Sequence, residues 1–243
     1  MRTLGKYIIF LKEAFVRNEG LRVILGLFVD EVLKIGNKSV FIVFIIAFFT
    51  GAVSTIQTAL SFEAPYLEDF IIGLAVRDMV FGIMPTLIGF VFAGKVGSHI
   101  ACELGTMRTS EQIDALEVMG INSVSWLVQP RITASFIALP MLIIIACFMA
   151  LLGGYLTAYY GGILAGSEFL YGIRYDFDPL TATVCVVKGG IFGFLVSSIS
   201  SYKGYYTKGG ALEVGKSGTV AVVSSCIAIV VSDYFLTEMF AGL

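Results

Sequence analysis

The sequence predicts an all-α membrane protein: five transmembrane helices, amphipathic interfacial helices before them, and one short cytoplasmic helix between spans two and three. Three observations predict it. Of 243 residues, 57% are hydrophobic and only 14% charged, where soluble domains carry about 45–50% and about 25%. Mean hydropathy is +0.90. Five stretches reach the roughly 20 apolar residues that a hydrocarbon core about 30 Å thick requires. This balance excludes a soluble globule, a disordered chain and a basic nucleic-acid binder; the net charge is -2. One histidine, His99, leaves no multi-histidine metal site. Cys102, Cys147, Cys185 and Cys226 all fall in apolar stretches outside any C-x-x-C pair, and read as buried thiols.

Residues 1–38 form a first region. Leu4, Tyr7, Ile8, Leu11 and Phe15 recur at helical spacing, Asn18-Glu19-Gly20 interrupts, and Leu21, Ile24, Leu25, Phe28 and Val32 repeat the pattern. Both segments are too charged to span and read as helices lying in the interface. The apolar run Tyr7–Leu11 is too short for a cleaved signal peptide. Residues 39–243 form the second region, with spans at about 39–61, 79–103, 133–158, 180–202 and 217–239. Only helices satisfy their own backbone groups in hydrocarbon without closing a barrel.

Lys and Arg in short loops set orientation. Seven lie before span one, three at 95–131 and three at 203–216; only Arg77 and Arg174 fall on the opposite side, and Lys188 lies within span four. The N-terminus is therefore expected in the cytoplasm and the C-terminus on the far side.

Between spans two and three, Thr109 and Gln112 fit a capping box, helix formers run from Ser110 to Met119, and Gly120 supplies a stop. Ile113, Leu116 and Met119 share one face; Glu111, Asp114 and Glu117 lie largely off it. Such a helix is either a surface connector or a plug for a groove on a soluble partner. Small residues four apart (Ala93/Gly97, Gly94/Ser98, Gly97/Ala101, Gly189/Gly193) allow close helix approach, within the chain or across a dimer.

The run Phe92-Ala93-Gly94-Lys95-Val96-Gly97-Ser98, the run from Glu103 through Met119, then Pro130-Arg131 and Leu139-Pro140, resembles the MlaE/YrbE family. Gly51 with Gln57, Gly204-Tyr205, Gly209-Gly210-Ala211 and Val214-Gly215 extend the likeness over about residues 40–240. Members of that family are permease subunits of MCE-associated ABC transporters, which move phospholipid between bacterial inner and outer membranes. The resemblance implies an inner-membrane homodimer with two ATPase subunits, a periplasmic MCE-domain protein and a phospholipid cavity between the permeases. ATP and Mg would bind the ATPase, leaving this chain without a cofactor or catalytic residue. The 110–119 segment would be the coupling helix, with Glu111, Ile113, Asp114, Leu116, Glu117 and Met119 as its contact residues. Val53, Ile56, Gln57, Leu60, Phe81, Met84 and Lys188 would line the cavity. The chain departs from relatives at Phe81-Gly82-Ile83-Met84-Pro85, where many carry Arg-Glu-Leu-Gly-Pro, so no headgroup role transfers to that pair. It also has Ser217-Gly218-Thr219 where relatives tend to have a Thr pair.

Gly210-Ala211-Leu212-Glu213-Val214-Gly215-Lys216-Ser217 satisfies the Walker A pattern. A phosphate loop needs a strand before it and a βα fold around it; here spans flank it, so the match is expected to be fortuitous. Ionisable groups within spans invite functional readings. Lys188 is placed to pair with a carboxylate, meet an anionic headgroup or snorkel to an interface, and Asp233 is a candidate partner. Lys95, His99 and Glu103 lie near one end of span two. A rival reading is an ion-coupled secondary carrier using Lys188 and Asp233, although no internal repeat supports it. A non-transporting membrane scaffold is a third.

Overall fold

The computed structural model describes residues 2–16, 21–61 and 70–241. Among them the chain forms α1 (Arg2–Val16), α2 (Leu21–Ser61), α3 (Phe70–Phe92), a π-turn (Ala93–Gly97), α4 (Ser98–Thr109), α5 (Gln112–Val118), α6 (Ser123–Tyr160), α7 (Gly166–Arg174), α8 (Pro179–Tyr205) and α9 (Ala211–Ala241). Five helical stretches are long and apolar enough to cross a membrane: Ser39–Ser61, Phe70–Thr109, Ser123–Tyr160, Pro179–Tyr205 and Ala211–Phe240. Each contains one of the spans expected from hydropathy. The expected break at Asn18-Glu19-Gly20 lies outside the described residues.

The helices outrun the apolar windows. Helix α2 has 41 residues and α6 has 38, so at 1.5 Å per residue each is about 60 Å long, twice a hydrocarbon core. Hydropathy reads only the part that fits lipid; backbone hydrogen bonds carry a helix past that point wherever the next side chains find partners. Arg77 and Asp78, expected in a loop, therefore lie inside α3. The Arg77 side chain is 8% exposed. Its guanidinium donates to the carbonyls of Tyr175 at 2.6 Å and Ile173 at 3.3 Å, and to Asp78 at 2.9 Å. Those carbonyls close the C-terminal end of α7, where the helix dipole favours a cation. Helix α7 itself lies between the expected spans three and four; it buries Phe169 and Gly172.

The chain divides into two compact units, with boundaries inside α2, α3, α6 and α8. The first comprises residues 1–38, 89–139 and 190–243. Its core joins Phe10 and Ala14 of α1, Ile113 of α5, Val124, Val128 and Ile132 of α6, and Tyr205 of α8. Tyr7 secures α1 further through a 2.7 Å hydrogen bond to Ser198. Burial raises the Tyr7 hydroxyl above the ordinary tyrosine pKa, because the ionised form is the one that desolvation penalises. Helix α4 packs along α9. The wide π-turn before α4 is steadied by Ser98, whose hydroxyl donates to the Gly94 and Lys95 carbonyls; π-turns loosen such acceptors from the regular ladder.

The second unit comprises residues 39–88 and 140–189. Helices α2 and α6 meet backbone to backbone. A Cβ at Gly51 would fall 1.8 Å from the Ala150 carbonyl oxygen, and one at Gly153 2.2 Å from that of Phe48. The close approach brings dispersion contact that larger residues would prevent. Cys147 and Cys185 are buried thiols with sulfurs 3.7 Å apart. Of the small pairs, Gly97 abuts Ser200 and Val196, Gly189 abuts Ile143 and Pro140, and nothing lies near a Cβ at Gly94.

Candidate functional site

Helix α5 is the most sharply bounded element of the first unit. It begins at Gln112, not Ser110, and the capping box does not form. Thr109 and Ser110 turn their hydroxyls back onto the Thr106 carbonyl at 3.1 and 2.8 Å. Hydroxyls so close to the end of α4 satisfy the local carbonyl first. Glu111 then reverses the chain with a left-handed backbone, φ 59°. The expected stop does form: Gly120, at φ 80°, donates to Glu117, and Ile121 donates to Leu116. That pair of bonds is a Schellman closure.

The apolar and acidic faces divide differently from expectation. Ile113 is fully buried. Asp114 and Glu117, expected to lie largely off the packed face, both turn to partners within the chain. Asp114 accepts from Arg108 at 2.7 Å. One Glu117 oxygen accepts from Ser123 and from Tyr205, each at 3.0 Å, and those two hydroxyls are 2.8 Å apart. Glu111, Val118 (89% exposed) and Met119 (65% exposed) face outward, and Leu116 is half-buried. Beside them lies an apolar hollow of about 240 Å³ edged by Met107, Ile113, Leu116, Met119 and Leu127.

Ion pairing also organises the neighbouring helices. Buried Arg131 of α6 meets Glu103 of α4 at 2.8 Å and Glu31 of α2 at 3.9 Å. Three helices thus share one buried cation.

The candidate cavity residues all belong to the second unit. Val53, Ile56, Gln57 and Leu60 are exposed together on one face of α2, as a spacing of three and four residues requires. Phe81 is half-buried beside the Phe177 ring at 6.1 Å. Met84 is packed inside, 1% exposed, and lines no open surface. Lys188 is 4% exposed and Asp233, in the first unit, is half-buried; both have interaction partners.

Comparison with known proteins bears on the arrangement as a whole. The family model described as Permease MlaE matches residues 28–239. The chain belongs to the MlaE permease family. A probable ABC transporter permease of Rickettsia bellii is 36% identical over 98% of this chain and 92% of its own length. A probable ABC transporter permease of Synechocystis is 34% identical over 88% of this chain and 81% of its own. The chloroplast protein Trigalactosyldiacylglycerol 1 of Arabidopsis thaliana is 31% identical over 87% of this chain and 60% of its own. With its five apolar helices, this MlaE-family chain is a multi-pass membrane protein.

Within the MlaE-family fold the Walker-like segment is plain helix. Ala211 to Ser217 form the first turns of α9, and Lys216 reaches outward to Glu213 at 2.6 Å. A phosphate cradle needs successive amides pointing into one hollow; here those of Glu213 and Val214 are spent on the Gly210 carbonyl. No strand occurs among the described residues. Sequence reasoning overlooked Tyr205, Ser123 and Glu31. Glu117 carries no local signal of a partner 88 residues away, whereas the spacing of Arg108 and Asp114 across a turn is a signal that could have been read.

Proposed function

We propose that this chain is the membrane-spanning permease of an ABC transporter that moves phospholipid between the inner and outer membranes of a bacterium. A separate ATPase subunit, in two copies, supplies the energy, with ATP and Mg held there. Two copies of this chain enclose the lipid path, and an MCE-domain protein receives or delivers lipid on the periplasmic side. The chain lies in the inner membrane with its N-terminus in the cytoplasm and its C-terminus in the periplasm.

One observation carries the reading: a short, closed helix presents Glu111, Val118 and Met119 outward, with half-buried Leu116 beside them, while Ile113, Asp114 and Glu117 tie it to the body of the protein. That is what a docking lever requires, a free face for a partner and a fixed face for the spans. The names of the bacterial relatives support the ABC assignment, and the galactolipid in the name of the Arabidopsis relative supports a lipid cargo. The apolar windows of α2 and α9 are only 28% and 17% buried, against 44–50% in the other spans. Those faces are left for lipid or a second copy. Val53, Ile56, Gln57 and Leu60 then lie where a lipid path would run.

The test is purification of the complex from membranes, followed by transfer of a fluorescent phospholipid between vesicles. An ATPase in equal number to this chain, and transfer that requires ATP, are expected. Leu116→Asp with Met119→Asp should release the ATPase. Transport by the chain alone, driven by an ion gradient and lost with Lys188→Ala or Asp233→Asn, would replace this reading with the carrier.

A further inference from the structure

Helix α5 has two polar anchors of unequal reach. Asp114 binds Arg108 across a tight turn, and both side chains are well exposed, Arg108 36% and Asp114 50%. Such a pair is screened by water and holds little; it also leads only to α4, the preceding helix. Glu117 differs. Its carboxylate meets the hydroxyls of Ser123, at the start of α6, and Tyr205, the last residue of α8. Ser123 is 2% exposed and Tyr205 8%. Each hydroxyl gives its one proton to the carboxylate, so Glu117 links the serine and the tyrosine and, through them, three helices.

Tyr205 has no slack. Its ring lies against Phe10 at 5.5 Å and Tyr206 at 5.3 Å, and the Arg108 guanidinium sits 5.9 Å above it. One residue earlier, Gly204 lies so close to α4 that a Cβ would be 2.6 Å from the Ala101 carbonyl oxygen. Close-packed groups pass on displacement because no void absorbs it.

We propose that Tyr205 is the positioning residue through which movement of α5 enters the membrane, by its hydrogen bond to Glu117 and by way of α8. The proposal rests on α5 being the ATPase docking helix. Its key is the hydroxyl, not the ring: without it, Ser123 still holds Glu117, α5 stays docked, and only the tie to α8 is lost.

Tyr205→Phe in the reconstituted complex with its ATPase tests this. The probe is a fluorescent phosphatidylethanolamine moving between phosphatidylethanolamine–phosphatidylglycerol vesicles. ATPase co-purification and ATP hydrolysis should stay near wild type while lipid transfer falls about tenfold, the size expected for one lost charge-assisted hydrogen bond. Glu117→Ala, which loses the Ser123 tie as well, should lower transfer at least as far, the double variant should be no worse than Glu117→Ala alone, and Glu117→Gln, which still accepts from both hydroxyls, should keep transfer near wild type. Unchanged transfer in Tyr205→Phe, or hydrolysis and transfer falling together, overturns the proposal. A wild-type chain that binds no ATPase would instead overturn the docking reading itself.

Discussion

Arg131 Nη2 lies 2.8 Å from the Glu103 carboxylate, with the arginine side chain 5% exposed and the glutamate 30%. Glu31 approaches the same guanidinium at 3.9 Å. One cation therefore lies between two carboxylates where three helices meet. Burying charge is costly unless it is paired, so each member depends on the others.

Arg131→Ala leaves both carboxylates without their shared cation and is expected to cost about 3 kcal/mol. Thermal unfolding of the detergent-solubilised protein should show a clearly lower midpoint. Glu103→Gln still accepts a hydrogen bond and should lower it less. Equal midpoints for wild type and Arg131→Ala would mean that the cluster is dispensable.

Glu111 holds a left-handed backbone at φ 59°, which costs a residue with a Cβ about 1 kcal/mol. Glu111→Gly should preserve or raise the hydrogen-exchange protection of the α5 amides, and Glu111→Val should lower it. Gly120→Ala, at φ 80°, should lower it as well, by about 1 kcal/mol. Indifference of α5 to all three would contradict the geometry of both its ends.

Gly51→Val places a branched side chain where even a Cβ would lie 1.8 Å from the Ala150 carbonyl oxygen. Helices α2 and α6 must then separate, and the purified protein should elute as aggregate on size exclusion. Gly82→Ala, where nothing lies within 4 Å of the added carbon, is the matched control and should elute normally.

Lys216→Ala tests the Walker-like segment. The lysine is exposed and paired only along its own helix, with Glu213. ATP-driven lipid transfer by the complex should stay near wild type, since an exposed pair of this kind contributes less than about 1 kcal/mol. Loss of nucleotide binding by this chain on its own would reverse that conclusion.

How much was readable in advance follows from the range of the forces involved. The centre of every span could be read, because transfer from water to lipid depends on composition within one window of about 20 residues. The stop at Gly120 could be read for the same reason of locality. The start of α5 could not: the Thr109 and Ser110 hydroxyls donate back to the Thr106 carbonyl, and no side chain caps the first amides of α5. Helix ends, and the placement of Arg77 in α3, depended on carbonyls of Ile173 and Tyr175 almost a hundred residues away.

Composition and spacing, then, were enough to establish a helical membrane protein with a capped helix between its second and third spans. Folding alone decided what that helix holds: that Glu117 is tied to Tyr205 and Ser123, and that Met84 is packed away while Val53 and Leu60 stay open. Hydrophobicity is a property of each residue and its neighbours along the chain. A hydrogen bond between distant residues is a property of two groups, and it exists only once the helices that carry them have met.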